Sequence, residues 1–354
     1  MDARFFSRLH KIEAVLAQAL PPQTNPDWQE RSFGALDPCV NDAHINELIA
    51  PNHGLLALGG KRWRPLLLVL CAELAADAKG TCAASGEVAY RLTPLVEFAH
   101  TASLIHDDIE DCADMRRGKP AAHVAFGTDT ALNAASWLYF EAATCIESLA
   151  LPDAQKNTFY ALYLHELRRL HLGQAMDILW HKQTALVPSV DEYTAMVRNK
   201  TGTLARLAVK TGLLAGGGTA EEAERAGSIA EDIGVGFQII DDVTNLTTGN
   251  PGKQRGDDIV EGKKSLPVLL HLQERPGDRP ALETLFAQAR AEGIASPAVE
   301  QAIALLFESD AIEKARAQGN DLVHRKSREL SGFYHTDGEP SELIGALFDP
   351  LRKE

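Results

Sequence analysis

Apolar residues recur every three or four positions through most of the chain, which is the spacing of one buried face of an α-helix. Alternating, β-branched stretches are nearly absent, and no segment has the pattern of a strand in a parallel sheet. Two sequences, Ser189 to Glu192 and Thr219 to Glu222, fit the capping box that begins many helices. The pattern predicts an all-α protein with short connections between its helices.

Three clusters of turn-forming residues interrupt the helical pattern. PPQTNP at residues 21–26 separates an N-terminal helix from the rest, and AGGG before Thr219 and GNPGKQRG after Asn245 are further breaks. No repeat or low-complexity segment stands out. We therefore expect an N-terminal helix and linker over residues 1–40 and a single bundle domain over residues 41–354.

Composition narrows the class of protein. The chain has 354 residues, 45% of them hydrophobic, which is enough for a large core. A formal net charge of −14 argues against a nucleic-acid partner, because no basic face can dominate. The longest apolar run is interrupted by Glu73 and is too short to span a bilayer, and the N-terminus lacks the apolar core of a signal peptide. Five cysteines without a CxxC pair indicate reduced thiols. We expect a cytoplasmic protein without a transmembrane segment.

Two short segments concentrate carboxylates on one helix face. They contain Asp107, Asp108 and Asp111 in SLIHDDIEDCADMRRGKP, and Asp241, Asp242 and Asn245 in FQIIDDVTN. Burying such groups without compensation is very costly. Oxygen-only ligands suit Mg²⁺, whose coordination is usually completed by water and substrate phosphates. A single cluster would indicate a solvated acidic face, but two matching clusters, each after an apolar half-turn, favour metal binding.

Basic residues accompany the acidic clusters. They are Lys61 and Arg64 beside a Gly-Gly break, Arg116 and Arg117, Lys200 with Thr201, and Lys253 and Lys263. Arginine and lysine are the side chains that hold phosphate oxygens. The glycines lack the order of a P-loop, so metal bridges and scattered cations are expected to hold the phosphate.

Six motifs in order resemble the trans-isoprenyl diphosphate synthases (polyprenyl synthetases). They are GGKRWRP, HDDIED with MRRGKPAAH, GQAMDI, NKTG, FQIIDDVTN and GDDIVEGKKSLP, within roughly residues 50–335. The chain is most similar to the geranylgeranyl diphosphate synthases of eukaryotic type. The resemblance implies a type I isoprenoid synthase fold of about ten core helices around a deep central cavity, and a homodimer.

The resemblance also implies roles for individual residues. Three Mg²⁺ ions would be held by Asp107, Asp111 and Asp241, supported by Asp108 and Asp242. The allylic diphosphate would be held by Arg116, Lys200, Thr201, Gln238, Lys253 and Lys263. Isopentenyl diphosphate would be held by Lys61, Arg64, His100 and Arg117. Asp177 would contact the side chains that bind the substrates without touching the substrates itself. Periodicity alone indicates that His100 is a core histidine, and the resemblance reverses that interpretation.

The chemistry implied is chain elongation. Magnesium and the cations stabilise the departing diphosphate, the π bond of isopentenyl diphosphate attacks the allylic cation, and a proton is lost. No nucleophilic side chain is needed, and no convincing Ser/His/Asp or Cys/His set is present; Cys112 and His106 receive no role.

Chain length is expected to depend on the residues before Asp107. Those nearest are small: Ala102, Ser103 and Ala99. They favour a C20 product, with C15 and C25 or longer as the alternatives. Aromatic residues further along the chain form either a deeper floor of the product pocket or ordinary core packing; they are Trp137, Tyr139 and Phe140.

Two other functions compete with chain elongation. A class I terpene cyclase shares the metal-triggered ionisation but needs no isopentenyl diphosphate site, so the second cation set counts against it. A non-catalytic subunit would be expected to lack an acidic motif, and both motifs are intact.

Overall fold

The structure, a computed structural model, describes residues 3–81, 84–183, 186–249 and 254–349. Nearly all regular structure in these ranges is helical, which confirms the all-α prediction. The chain divides into two compact units. The first unit consists of Met1–Leu167, Leu207–Gly227 and Ser331–Leu347, and the second of Arg168–Arg206, Ser228–Leu330 and Phe348–Glu354. The domain bounds expected from the sequence stay a prediction.

The helices in chain order are α1 (Ala3–Ala19), α2 (Pro26–Phe33), α3 (Asp42–Ala57), α4 (Trp63–Lys79), α5 (Ala84–Arg91), α6 (Thr93–Glu110), α7 (Ala122–Phe126), α8 (Thr128–Glu141), α9 (Thr144–Glu147), α10 (Asp153–Lys182), α11 (Val190–Val197), α12 (Thr203–Ala215), α13 (Ala220–Thr247), α14 (Asp257–Glu261), α15 (Leu266–Glu274), α16 (Arg279–Glu292), α17 (Pro297–Glu308), α18 (Ala311–Ser331) and α19 (Glu339–Leu347). A π-helical turn, Arg198–Gly202, joins α11 to α12, and a 3₁₀ turn, Pro276–Asp278, precedes α16.

Both predicted capping boxes are present. Before α11, the Glu192 amide donates to Ser189 Oγ at 3.1 Å, and the Ser189 amide donates to Glu192 Oε2 at 2.7 Å. Before α13, the same reciprocal bonds join Thr219 and Glu222 at 3.2 and 2.7 Å. Each pair satisfies amides that the first helical turn leaves without an intrahelical partner.

Helix α4 lies at the centre of the first unit. Its side chains from Leu66 to Ala72 are fully buried around the whole helix, as expected for a helix surrounded by others. Helices α1, α5, α6 and α19 pack against it. Gly212 and Gly216 of α12 lie so close to α4 that a Cβ at either would clash with a carbonyl oxygen of that helix. These glycines therefore set how closely α12 approaches.

Helix α8 packs against α3 and α6, and its aromatic residues face different surroundings. Trp137 stacks on Phe33 at 6.0 Å between ring centroids and lies 6.2 Å from Trp28, so it is ordinary core packing against α2. Phe140 is 75% exposed in the single chain. Tyr139 is buried and stacks on His106 of α6 at 5.6 Å.

The second unit has its own core, built from α11, α13 and α15 to α18. Its central members include Tyr193, Val243, Leu269 and Ile303. Gly236 of α13 and Gly319 of α18 face each other, and a Cβ on Gly319 would lie 3.1 Å from the Gly236 oxygen. Such contact brings the two helix backbones together without an intervening side chain.

A short hairpin follows α6 and was not predicted. Strand β1 (Met115–Arg116) pairs antiparallel with β2 (Lys119–Pro120), and Arg116 lies opposite Lys119. Arg117 and Gly118 form the turn, with φ angles of 52° and 76°. Two positive φ angles are what a type I′ turn requires, and a two-residue strand is too short to give an alternating pattern.

No helix in the described ranges has the length and apolar character needed to cross a membrane. Cys39, Cys71, Cys112 and Cys145 are free thiols, as expected, and Cys82 lies outside the described residues.

Candidate active site

The first acidic segment lies at the C-terminal end of α6. The Asp111 amide donates to the Asp107 carbonyl oxygen at 2.8 Å, so helical geometry extends through the segment. The side chain of Asp107 is 18% exposed, whereas that of Asp108 is 1% exposed. Helical spacing therefore places Asp107 and Asp111 on one face and turns Asp108 inward.

Arg116 compensates the buried charge of Asp108. Its Nε donates to Asp108 Oδ1 at 2.7 Å, and its Nη2 contacts the same oxygen. The same Nη2 lies 3.7 Å from Asp107 Oδ2. The hairpin makes this possible, because it returns the chain towards the end of α6. An arginine predicted to bind a diphosphate thus also neutralises a carboxylate behind the proposed metal ligands.

Arg117 reaches from the hairpin turn to the Gly59–Gly60 segment before α4. Its Nη1 donates to the Gly59 carbonyl oxygen. Burial lowers the pKa of Arg117; nearby Glu97 raises it by less, and the positive charge of Arg62 lowers it further. Gly59 and Gly60 have φ angles of 74° and 152°, values that only glycine adopts easily. This is the reason for the Gly-Gly pair in GGKRWRP.

Arg64 and His100 lie together, as the resemblance implied. Arg64 Nη1 is 3.4 Å from His100 Nε2, and both side chains are largely buried. Burial, followed by the positive charges of Arg64 and Arg117, lowers the pKa of His100 well below its usual range. The imidazole is therefore neutral at pH 7, and its Nε2 accepts from the arginine. Lys61, the remaining member of this set, is exposed.

Arg62 forms a buried network that the sequence did not predict. Its guanidinium donates to Glu13 at 2.7 Å, to Glu97 at 2.6 Å and to the Leu56 carbonyl oxygen at 2.6 Å. Its φ angle is 45°, so it lies in the left-handed region at the start of α4. Arg62 therefore fixes the loop that carries Lys61 and Arg64. Within the sequence it is one of several neighbouring cations, and its partners are distant along the chain.

The residues preceding Asp107 differ in exposure. Ala99 and Ala102 are fully buried, whereas Ser103 is half-buried and donates to the His100 carbonyl oxygen at 2.8 Å. On a helix, Ser103 lies nearly above Asp107, because positions four apart differ by about 40°. Ala102 lies about 140° away from Asp107 around the same helix.

In the second unit, Asp242 is buried among neutral donors. Gln238 Nε2 donates to its Oδ1 at 2.9 Å, and the Tyr193 hydroxyl donates to its Oδ2 at 2.7 Å. Thr201 donates to the other end of Gln238 at 2.8 Å. Burial, followed by the neighbouring charge of Asp258, raises the pKa of Asp242 to about 7. Two predicted diphosphate ligands, Thr201 and Gln238, thus also belong to the hydrogen-bond chain that holds this carboxyl.

Asn245 ties α13 to the segment that follows it. Its Oδ1 accepts from the Asp258 amide at 3.2 Å, and its backbone oxygen accepts from the Gly256 amide at 2.9 Å. Lys263 lies 3.3 Å from Asp258 and 2.6 Å from Glu261. Asn245 therefore positions the loop that carries Lys263.

Asp177 of α10 is held between two basic groups. Lys200 Nζ donates to its Oδ2 at 2.6 Å, and His181 Nε2 lies 3.0 Å from its Oδ1. Burial by itself would raise the pKa of Asp177, but Lys200 and His181 hold it well below the usual range. Lys200 lies on the π-helical turn, and a Cβ at Gly173 would clash with the Lys200 backbone. The glycine of GQAMD therefore allows α10 to pack directly on that turn.

Three outcomes complete the set of predicted residues. Lys253 lies outside the described residues. Asp241 is exposed beside buried Asp242. Tyr193 and Asp258 were missed as site residues: Asp258 stands in the quoted motif GDDIVEGKKSLP without a role, and Tyr193 had no signal at all.

The predicted metal ligands have the type of donor atom that magnesium prefers. Asp107, Asp111 and Asp241 offer oxygen donors only. Among the residues that the structure describes, no group of three or more His, Cys, Asp or Glu side chains is arranged to hold a metal by itself. Mg²⁺ commonly binds through one or two carboxylates and is completed by water and phosphate oxygens.

A serine, a histidine and an aspartate do meet in the second unit. His271 Nδ1 lies 2.7 Å from Ser309 Oγ, and its Nε2 lies 3.2 Å from Asp278 Oδ2. Ser309 is only 2% exposed and donates to the Leu306 carbonyl oxygen at 3.2 Å. A nucleophile needs access to a substrate, so this group instead links α15 to the end of α17, which Ser309 caps.

Comparison with known proteins identifies the class. A geranylgeranyl pyrophosphate synthetase from Pyrococcus horikoshii has the same fold, with a TM-score of 0.79, 24% identity and coverage of 99% of this chain and 98% of that one. The fold is that of the all-α isoprenyl synthases. Residues 45–305 match the model of the family described as polyprenyl synthetase. The chain belongs to the polyprenyl synthetase family.

Fungal relatives are more similar in sequence. Geranylgeranyl pyrophosphate synthase 2 of Zymoseptoria tritici is 40% identical over 186 residues, which cover 52% of this chain and 54% of the relative. The match thus spans about half the length of that relative. The geranylgeranyl pyrophosphate synthase of Neocamarosporium betae is 32% identical over 308 residues, covering 83% of each chain.

Proposed function

We propose that the protein is a Mg²⁺-dependent prenyltransferase that condenses isopentenyl diphosphate with an allylic diphosphate to form geranylgeranyl diphosphate (C20). The observation that carries the proposal is the cluster of Arg64, His100 and Arg117 in a family member with both acidic motifs intact. A cyclase would have no use for a second diphosphate-binding set. The names of the fungal relatives support the C20 product.

The allylic diphosphate is assigned to the second set of cations. Lys200 and Lys263 supply ammonium groups, and Thr201, Gln238 and Arg116 supply further donors. Lys253 is included on the resemblance alone. Each of the first two lysines pairs with a buried carboxylate, which holds its position before the substrate arrives.

In the reaction, the allylic carbon–oxygen bond breaks and its electron pair leaves with the diphosphate. Bound magnesium would neutralise diphosphate oxygens, and Asp107, Asp111 and Asp241 would hold it, as three ions when substrate is present. Lys200 and Arg116 donate to the same leaving group and stabilise its growing charge. The neutral His100 and the two arginines beside it orient isopentenyl diphosphate, whose π electrons form the new carbon–carbon bond. The proton lost next passes to the released diphosphate.

We infer a cytoplasmic homodimer. Leu132 and Phe140 lie eight residues apart on α8, hence on one side of the helix, and are 49% and 75% exposed in the single chain. A second copy covering this side would remove both from water. Sedimentation of the purified protein tests this, and Phe140→Glu is expected to shift a dimer towards monomer.

We assign chain length chiefly to Ser103, with Ala99 and Ala102 behind it. Ser103 is half-buried and shares the face of Asp107, whereas the alanines are fully buried. Ser103→Phe is expected to shorten the main product, read by mass spectrometry. Ala102→Phe is expected to cost roughly 1–3 kcal/mol of stability, because a fully packed position has no room for the ring.

The decisive experiment supplies purified protein with Mg²⁺, labelled isopentenyl diphosphate and dimethylallyl, geranyl or farnesyl diphosphate in turn. A C20 prenyl diphosphate is expected from at least the farnesyl primer. Release of inorganic diphosphate without incorporation of label would indicate a cyclase instead. Absence of any elongation with all three primers would refute the proposal.

A further inference from the structure

A cavity of about 280 Å³ lies within the second unit, apart from the residues assigned to catalysis. It is bounded by α15, α16 and the turn that carries Lys264. Most of its lining is apolar, including Val268, Leu272, Leu282 and Phe286. Its volume is near the lower end of known small-ligand sites, which begin at roughly 300 Å³.

The turn sends two adjacent lysines to different surroundings. Lys263 lies beside Asp258 and Glu261, whereas Lys264 lines the cavity. Lys264 is only 9% exposed, and its Nζ donates to the Gly262 carbonyl oxygen at 3.1 Å. The same Nζ lies 5.2 Å from the centroid of the Phe286 ring. The cavity wall is therefore separate from the diphosphate-binding side chain next to it.

The positive charge at this wall exceeds the negative charge. Among the described residues, no carboxylate forms an ion pair with Lys264 or with Arg290, which also lines the cavity. Arg290 donates to two carbonyl oxygens instead, those of Glu261 at 2.6 Å and His181 at 3.5 Å. Arg279 is paired with Glu283 at 2.8 Å, so that pair adds no net charge. Burial lowers the pKa of Lys264, which shows how costly its unpaired charge is.

The entrance is formed by small residues. Ala287 and Ala291 line the cavity one helical turn apart on α16, and both are exposed, as is Arg290 between them. The site thus combines an open mouth carrying an arginine with an apolar interior carrying one buried lysine. An apolar molecule would leave the two cations without counter-charges, and a simple anion would leave the apolar lining exposed to water.

We propose that this cavity is an accessory binding site for a small amphipathic anion, an aliphatic chain ending in a phosphate or carboxylate. The chain would pack against Leu282 and Phe286, and the head group would pair with Lys264 and Arg290. The site does not depend on the function proposed above, because none of these four residues takes part in it.

Direct binding tests the proposal. Decyl phosphate, decanoate and decanol are titrated calorimetrically into the full chain in EDTA, which removes any metal-assisted binding of the phosphate probe elsewhere. Saturable binding of at least one anion is expected, with decanol weaker by about tenfold or more. Tighter binding of decyl phosphate would identify a phosphorylated lipid, and tighter binding of decanoate a fatty acid.

Three variants locate the site. Lys264→Met removes the charge at similar length, and Ala287→Trp fills the mouth from an exposed position that tolerates a large side chain. Each is expected to weaken anion binding by about tenfold or more. Gln288→Trp, on the next exposed residue of α16, is the control and should bind as the wild type does. No saturable binding to the wild type, or undiminished binding to Ala287→Trp, would overturn the proposal.

Discussion

The two acidic segments share a spacing but compensate their second carboxylate in different ways. Asp108 is buried against a cation, Arg116. Asp242 is also buried, but it accepts from Gln238 and from the hydroxyl of Tyr193, both neutral. A charge partner favours the ionised carboxylate, whereas neutral donors offset only part of the desolvation cost.

The difference concerns protonation more than position. Burial raises the pKa of Asp242 to about 7, and its neutral donors lower it by less than burial raises it. Identical residues at matching positions of the two segments therefore do not imply identical charge states of their carboxyl groups. The two acidic segments can respond differently to the same substitution, and four experiments test how far this difference extends.

The largest effect is expected on activity, where the two segments should behave alike. Asp107→Asn and Asp241→Asn each remove one proposed metal ligand and should lower kcat by about 100- to 1,000-fold, because charge stabilisation of the leaving diphosphate is lost. Incorporation of labelled isopentenyl diphosphate measures this. Asp114→Asn, an exposed member of the same acidic run, is the matched control. Activity near the wild-type level in either ligand variant would remove that segment from the site.

The free energy of unfolding should respond differently to substitutions in the two acidic segments. Asp108→Asn leaves Arg116 without its buried counter-charge and is expected to cost about 3 kcal/mol. Asp242→Asn replaces a carboxyl whose neutral form is already favoured by burial, which raises its pKa, and should cost about 1 kcal/mol or less. Urea unfolding in EDTA measures both. Equal losses would show that the two carboxylates are compensated in the same way.

Glu141 is a third buried carboxylate with neutral hydrogen-bond donors, and it lies outside both acidic segments. It is 3% exposed, and its Oε1 accepts from the hydroxyls of Ser32 at 2.9 Å and Thr144 at 3.3 Å. Burial raises the pKa of Glu141 to about 7, against an ordinary value of 4.5. The folded state therefore binds the proton more tightly than the unfolded state. This contribution to stability is complete below about pH 4.5 and is lost as the pH rises through about 7, by up to roughly 3 kcal/mol.

Glu141→Gln should flatten that part of the pH profile, because the amide cannot ionise. Exposed Glu147→Gln on α9 is the control and should leave the profile unchanged. Thermal unfolding between pH 4.5 and pH 8 gives the comparison, and parallel profiles for wild type and Glu141→Gln would contradict the assignment.

The smallest effect concerns a single hydrogen bond to Asp242. Tyr193→Phe removes one of its two neutral donors and should cost about 1 kcal/mol in the free energy of unfolding. Tyr160→Phe, at a half-exposed tyrosine, serves as the reference. If both variants unfold alike, the Tyr193 hydroxyl contributes nothing measurable to holding Asp242.

Local spacing predicted much of this molecule. The all-α class, both capping boxes and the helical placement of the two acidic segments depend on residues three or four apart, and all were confirmed. The resemblance supplied the roles of the cations in the motifs, and these roles stay predictions for this chain. The hairpin after α6 was missed, because two-residue strands carry no periodic signal.

Hydrogen-bond partners that are distant in the sequence could not be predicted from local spacing. Tyr193 lies 49 positions from Asp242, and Arg62 lies 49 positions from Glu13. Nothing near either residue indicates the other, because a hydrogen bond between distant positions depends on how whole helices pack. The Lys264 cavity was missed for the same reason, since KK in a motif does not show that the two side chains diverge.

The sequence by itself thus determined the helices, the oxygen-donor chemistry of the two acidic segments and the family. Each depends on patterns of residues that are close together in the sequence. Only the tertiary structure decided which group compensates each buried charge: Arg116 for Asp108, and Gln238 with Tyr193 for Asp242. The physical reason is that burial and the identity of the nearest partner set the energy of a charge, and both arise only when distant segments pack together.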